Sequence, residues 1–298
     1  MKYSFLDHKV IGRLGAIPLE SRQPMLGNSA GRHRSPLRGS SVEFAEYRKY
    51  VQGDDTRRLD WKAYARSDRY YIKEFEADTN LRAYMVVDTS GSMNFDFESD
   101  SKIEYARRLA STLAYLAVDQ GDAAGLSCCD EKLHIEIPPR RRASHLQQIF
   151  DTLSKVEPKG ETGLIKGLHD IAEKTGSRAM VVIISDFFCD MDELTDALQH
   201  LQYRKHDVSL FHLMNPQEID FEFERPHRFV DMEDNTSVVA EPSIIADEYR
   251  EAVQEFLTEI KGRAHDANAF YRLIRTTEDY EDILSEFLLD RLPKGGKK

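Results

Sequence analysis

The chain runs to 298 residues, 41% hydrophobic and 31% charged, with a formal net charge of −11. That is the composition of a globular protein able to bury a large core, not of a disordered or fibrous chain. So acidic a balance argues against nucleic acid as a partner, because phosphates would be repelled at long range.

Three cysteines (Cys128, Cys129, Cys189) without a CxxC spacing exclude a disulfide framework and suit a reducing, cytoplasmic compartment. The longest apolar run, Ala179 to Ile184, is far short of the ~20 residues a membrane helix needs. Charges interrupt MKYSFLDHKVIGRLG, so neither a signal peptide nor a membrane span is expected. Residues 1–80 carry 15 Lys+Arg against 11 Asp+Glu, whereas the remainder carries 26 against 41. A mildly basic segment, 1–80, is therefore expected to precede an acidic body, 81–298.

In chain order, a short amphipathic stretch, FLDHKVIGRL, leads into the Gly/Ser/Arg-rich GNSAGRHRSPLRGSS. The next forty residues are dense in aromatics and paired charges. Flexible linkers are poor in aromatics, so Tyr47, Tyr50, Trp61, Tyr64, Tyr70, Tyr71 and Phe75 predict a segment that folds against the body, with Trp61 as a buried anchor.

From Leu81 onward strands and helices alternate. AYMVVD reads as a buried strand and KIEYARRLASTLAYLAVD as an amphipathic helix. GLSCC and KLHIEI are strands flanking a turn at Asp130 and Glu131. SHLQQIFDTLSKV is a helix with Ser144 as its N-cap, and TGLIKGLHDIAEKT is another. AMVVIISD has the unbroken apolar run of a central parallel strand. MDELTDALQHLQYRK, acidic first and basic last, suits the helix dipole, and DVSLFHLMN is a strand. After a looser, Pro-punctuated region come the long helix DEYREAVQEFLTEIKGRAHD, the strand AFYRLIRT and the helix EDYEDILSEFLLDRL. The alternation predicts a doubly wound α/β fold, a mostly parallel sheet with helices on both faces. The KGGKK tail is expected to be disordered.

In such sheets ligands sit beyond the carboxyl ends of the strands. There the sequence places Asp88, Ser90 and Ser92 of DTSGS, Thr162 of GETG, and Asp186 of ISD. These two carboxylates and three hydroxyls are hard oxygen donors, which suit Mg²⁺ or Mn²⁺ rather than zinc.

This Asp-x-Ser-x-Ser, Thr and Asp set resembles the metal-ion-dependent adhesion site of von Willebrand A domains. The resemblance implies that Ser90, Ser92 and Thr162 ligate the ion directly, while Asp88 and Asp186 act through water. An ion held by neutral hydroxyls stays under-neutralised and would attract a carboxylate from a partner protein. The upstream Gly53-Asp54-Asp55, Arg57, Asp60-Trp61 and Ala65-Arg66, together with LAYLAVDQGDAAGL, KGETGL and FHLMNPQE, resemble the domain-of-unknown-function 58 family along most of the chain. Cys129 departs from the aromatic usual in that strand. The resemblance implies a soluble, non-enzymatic binding module working with a MoxR-type AAA+ ATPase, or with a client protein, through a carboxylate.

Two other readings stay open. One is a metal-dependent hydrolase using the same ion, although no His lies at the predicted sheet end to act as base. The other is a structural regulator whose site is filled by its own N-terminal segment. Gly27-Asn28-Ser29-Ala30-Gly31 fits the G-x-S-x-G elbow but lacks the strand before it and the helix after it. No P-loop is present. The arginines of the first 80 residues are interrupted by carboxylates and read as internal ion pairs.

Overall fold

The computed structural model describes residues 3–22, 42–49, 60, 61, 64, 70–77, 81–130, 134–223, 225–233 and 236–292, with backbone alone for 42–49, 72–77 and 134. The GNSAG elbow, the arginines of the N-terminal segment from Arg32 to Arg69 other than Arg48, most of the Gly53–Arg66 signature, Glu131 and the Lys-rich tail lie outside the described residues. The chain divides into two compact units, Pro24–Asn80 and a larger one made of Met1–Gln23 and Leu81–Lys298.

In the smaller unit β1 (Val42–Lys49) pairs antiparallel with β2 (Tyr71–Ala77), and the register shifts between Phe44 and Glu46. Tyr64 stacks on Tyr70 with centroids 4.5 Å apart, and Trp61 meets Tyr64 edge-on at 6.3 Å. Trp61 itself is 61% exposed.

The larger unit is built on six strands: β3 (Arg82–Asp88), β4 (Ala123–Cys129), β5 (His134–Arg140), β6 (Met180–Ser185), β7 (Asp207–Met214) and, after a short hairpin of β8 (His227–Val230) and β9 (Ser237–Ala240), β10 (Phe270–Arg275). Their order in the sheet is β10-β7-β6-β3-β4-β5. All neighbours are parallel except β4 and β5. Pro138 and Pro139 are tolerated in β5 because it is an edge strand, where a missing ladder donor costs least. The strand order reverses between β3 and β6, which opens a crevice at the carboxyl ends of those two strands.

The helices are α1 (His8–Leu14), α2 (Lys102–Asp119), α3 (Ala143–Leu153), α4 (Leu164–Lys174), α5 (Met191–Tyr203), α6 (Pro216–Asp220), α7 (Pro242–Asp266) and α8 (Tyr280–Asp290). β3 is buried along nearly its whole length, so its alternating side chains feed two cores. Tyr84 and Val86 pack with Leu164, Leu168 and Ile171 of α4 and with Leu194 and Leu198 of α5. The other face of the sheet is covered by α2, which lies along β3 and β4. The α3 helix starts one residue before Ser144, with Arg142 at its N-cap and no side-chain cap. Ser144 therefore sits inside the first turn and does not cap.

Residues 3–22 are part of this unit. Phe5, Leu6, Val10, Ile11, Leu14 and Leu19 are buried. Gln120 clasps the segment by accepting from Leu19 N at 2.8 Å and donating to Ile17 O at 2.9 Å. Asp207, at the start of β7, accepts from Ser21 Oγ (2.9 Å), Arg22 N (2.8 Å) and the fully buried Arg291 guanidinium (2.6 Å), which also reaches Glu20 O at 3.1 Å. Among the described residues no helix is long and apolar enough to cross a membrane.

Candidate metal centre

Asp88 is the last residue of β3, and Asp186 directly follows β6, so the two carboxylates flank the crevice. Ser90 and Ser92 belong to the 3-10 turn that follows β3, and Thr162 precedes α4. The loop before α4 is tied to that turn by backbone bonds, Gly91 N to Gly160 O (2.8 Å) and Lys159 N to Thr89 O (3.0 Å). Gly163 lets the same loop pack against the residue that follows β4, because a Cβ there would lie 2.2 Å from Asp130 O.

Asp88 is 1% exposed and fully engaged. Its Oδ1 accepts from Ser90 N at 3.0 Å and its Oδ2 from Ser185 Oγ at 2.6 Å. Thr162 Oγ1 donates across both oxygens, at 3.2 and 3.1 Å. These contacts use the acceptor positions of a carboxylate and turn the hydroxyl protons inward; Thr162 Oγ1 also accepts from Leu164 N at 3.2 Å, which leaves it one lone pair to face an ion. Asp88 is thus an orienting group behind the hydroxyls. Burial, and then the nearby Asp186 charge, push its carboxyl up to about 6.

Ser90 Oγ and Ser92 Oγ lie 3.1 Å apart. Adjacent vertices of an octahedron with bonds of about 2.1 Å are about 3.0 Å apart, so the pair fits a small hard cation such as Mg²⁺. Among the described residues no group of three or more His, Cys, Asp or Glu side chains is arranged to hold a metal. The Ser and Thr oxygens are the donors nearest to hand for an ion at this position.

Asp186 does not hydrogen bond the hydroxyls. Its Oδ2 accepts at 2.7 Å from Lys102 Nζ, which also donates to Glu218 Oε1 at 2.6 Å. Lys102 is 0% exposed, and its ammonium lies 5.3 Å from the Phe188 ring centroid. Burial alone would lower the Lys102 pKa, but the two carboxylates outweigh it and hold the group charged. The chain turns sharply after Asp186. Phe187 takes a left-handed φ of 56° although fully buried, a conformation that costs a bulky residue of order 1–3 kcal/mol.

Sequence reasoning missed Ser185, Lys102, Glu218 and Glu233. Ser185 was visible as the residue before Asp186, and Lys102 as a cation at the start of a helix, where the dipole disfavours it. Glu233 comes from the β8–β9 hairpin. Burial, then Asp186 and Asp88, raise its carboxyl to about 7. Beside Thr162 and Glu233 opens a cleft of about 760 Å³ walled by Glu161, Asp190, Glu193 and Asp196. Cys189 lines it too, but burial holds that thiol up at about 12 and Cys129 likewise, so neither supplies a thiolate at neutral pH.

A family model described as "Protein of unknown function DUF58" matches residues 46–259. Uncharacterized proteins of Mycobacterium bovis and Mycobacterium tuberculosis are 27% identical over 217 residues, covering 72% of this chain and 68% of theirs. Among solved structures, the conserved hypothetical protein BatB of Bacteroides thetaiotaomicron is 15% identical, with a TM-score of 0.48 over 71% of this chain and 98% of its own. An aerotolerance-related membrane protein of Bacteroides fragilis is 18% identical, with the same TM-score of 0.48 over 71% of this chain and 98% of its own. The SpRpn10 VWA domain is 10% identical, with a TM-score of 0.41 over 74% of this chain and 98% of its own.

Proposed function

Because the chain belongs to the DUF58 family of proteins of unknown function, a membership that assigns no activity, we propose from its own geometry that it is a Mg²⁺- or Mn²⁺-dependent protein-binding module. The observation that carries this reading is the convergence of the Thr162 and Ser185 hydroxyls on one buried carboxylate, Asp88, beside a Ser90–Ser92 pair at octahedral spacing. Ser90, Ser92 and Thr162 would hold the ion, with Asp88 and Asp186 behind them. Neutral ligands leave a divalent ion with most of its charge, so it would grip an outside Asp or Glu that enters the crevice.

The acidic cleft alongside favours a partner segment in which that carboxylate is followed by Lys or Arg. A MoxR-type AAA+ ATPase, or a client it remodels, is the partner we assign, with this chain as adaptor. Hydrolysis finds less support: the Lys102 amine beside Asp186 is held charged by Asp186 and Glu218 and so is no base.

Pull-down of a MoxR-type partner by the full chain tests this directly. Capture should need Mg²⁺, fail in EDTA and fall sharply in Ser90→Ala/Ser92→Ala. Equal capture in EDTA would refute the metal-dependent contact.

A further inference from the structure

The turn that follows β8 lies against the site. A Cβ at Gly91, between the two serines, would meet Met232 O at 2.1 Å. Only a glycine allows the backbone of residue 232 to come so close. The next residue, Glu233, is thereby delivered to the site: its Cα lies 3.4 Å from the same Cβ position, and its side chain lines one cleft with Thr162. Its Oε1 is buried and has no hydrogen-bond partner among the described residues.

This is an uncomfortable place for an anion. Two carboxylates already face the crevice, a third repels them, and an unpartnered buried oxygen bears its desolvation uncompensated. Lys102 does not relieve it, because its ammonium donates to Asp186 and Glu218. A divalent cation beside Ser90 and Ser92 would supply the missing partner, with Glu233 Oε1 as an oxygen donor of the kind such ions take.

We infer that Glu233 is the chain's own carboxylate ligand to the ion, filling the coordination position that a partner's carboxylate would otherwise occupy. The inference rests on the metal-dependent reading above and adds a resting state to it. Partner binding then exchanges one carboxylate for another, so its affinity reflects a difference between two similar contacts. Movement of the Met232–Glu233 backbone away from Gly91 sets how readily the exchange occurs.

Water-proton relaxation of Mn²⁺ bound to the full chain reads both affinity and the number of coordinated waters. The comparison is the parent with Glu233→Gln and Glu233→Ala, with Asp88→Asn and Ser92→Ala as site controls and thermal melts to confirm folding. Orienting groups behind a ligand are themselves worth ~10–100-fold in metal affinity, so loss of Glu233 should weaken Mn²⁺ at least about tenfold. Relaxation per bound ion should rise as water enters, and millimolar acetate should reverse that rise in the Glu233 variants while leaving the parent unchanged. Unaltered affinity and hydration in both Glu233 variants, with Mn²⁺ lost in Asp88→Asn, would overturn Glu233 as ligand and leave the metal site standing. Equal Mn²⁺ binding by the parent and both site controls would overturn the metal reading, and this inference with it.

Discussion

Replacing Lys102 by Met gives the sharpest test of how the crevice is held together. The methionine side chain is nearly isosteric with the lysine stem, so the stem's packing is largely kept, while the ammonium's approach to the Phe95 and Phe188 rings goes with the charge. What disappears is the ammonium, 2.7 Å from Asp186 and 2.6 Å from Glu218, in a side chain that is 0% exposed. Removing one member of a buried ion pair leaves its partners as uncompensated charges and costs about 3–5 kcal/mol. For a unit of this size that corresponds to a fall in Tm on the order of 10 °C. Urea melts in EDTA, where no divalent ion can substitute for the ammonium, give the value directly. The triple variant Lys102→Met/Asp186→Asn/Glu218→Gln should recover much of the loss, because it neutralises the orphaned carboxylates. A single variant within about 1 kcal/mol of the parent, the figure expected of an exposed pair, would refute the buried triad as the organiser of the crevice.

Gly163→Ala drives a Cβ toward Asp130 O, 2.2 Å away in the present backbone. It should cost about 1–3 kcal/mol and weaken Mn²⁺ binding, measured by titration calorimetry, since Thr162 is pulled from Asp88. His206 is 2% exposed and accepts from Ala179 N at Nδ1. Burial first, then Arg204, lowers its imidazole from 6.5 to about 4, so on acidification the unfolded chain takes up the proton first. Stability should be lost as pH falls from 6.5 toward 4, by about 3 kcal/mol at most, and His206→Asn should flatten that part of the urea-midpoint profile. Finally, p-nitrophenyl phosphate and casein should show no turnover with Mg²⁺ present. Hydrolysis that vanishes in Thr162→Ala would instead favour the hydrolase.

The body of the fold was legible because its strands and helices announce themselves by period. The run AMVVIISD is typical of a central strand buried on both faces, and it lies at the centre of the sheet. The five oxygen-bearing residues were legible because parallel topology sends them to one end. What escaped was non-periodic. In β1 the register shift between Phe44 and Glu46 breaks the alternation that would have marked a strand. Residues 3–22 hold on through six scattered apolar side chains and borrowed hydrogen bonds rather than a long amphipathic face. Lys102 stood out only as a cation at a helix start, and nothing in its neighbours in sequence reveals that Glu218 lies beside it. Glu233 reaches the site from a Pro-punctuated stretch, with only Gly91 betraying the contact.

The buried Arg291 has a bearing on how the protein is made. Its guanidinium completes a cluster with Asp207 and with the carbonyl of Glu20, a contact spanning 271 positions. A ribosome adding ~5–20 residues per second needs on the order of tens of seconds to cover that span. Throughout that time the strap at residues 17–22 waits for a partner not yet synthesised, and Asp207, made later, waits for the last 84 of those positions. Folding of the larger unit can therefore close only after release of α8 from the exit tunnel, and a nascent chain halted before Arg291 would remain open to proteases and holdases.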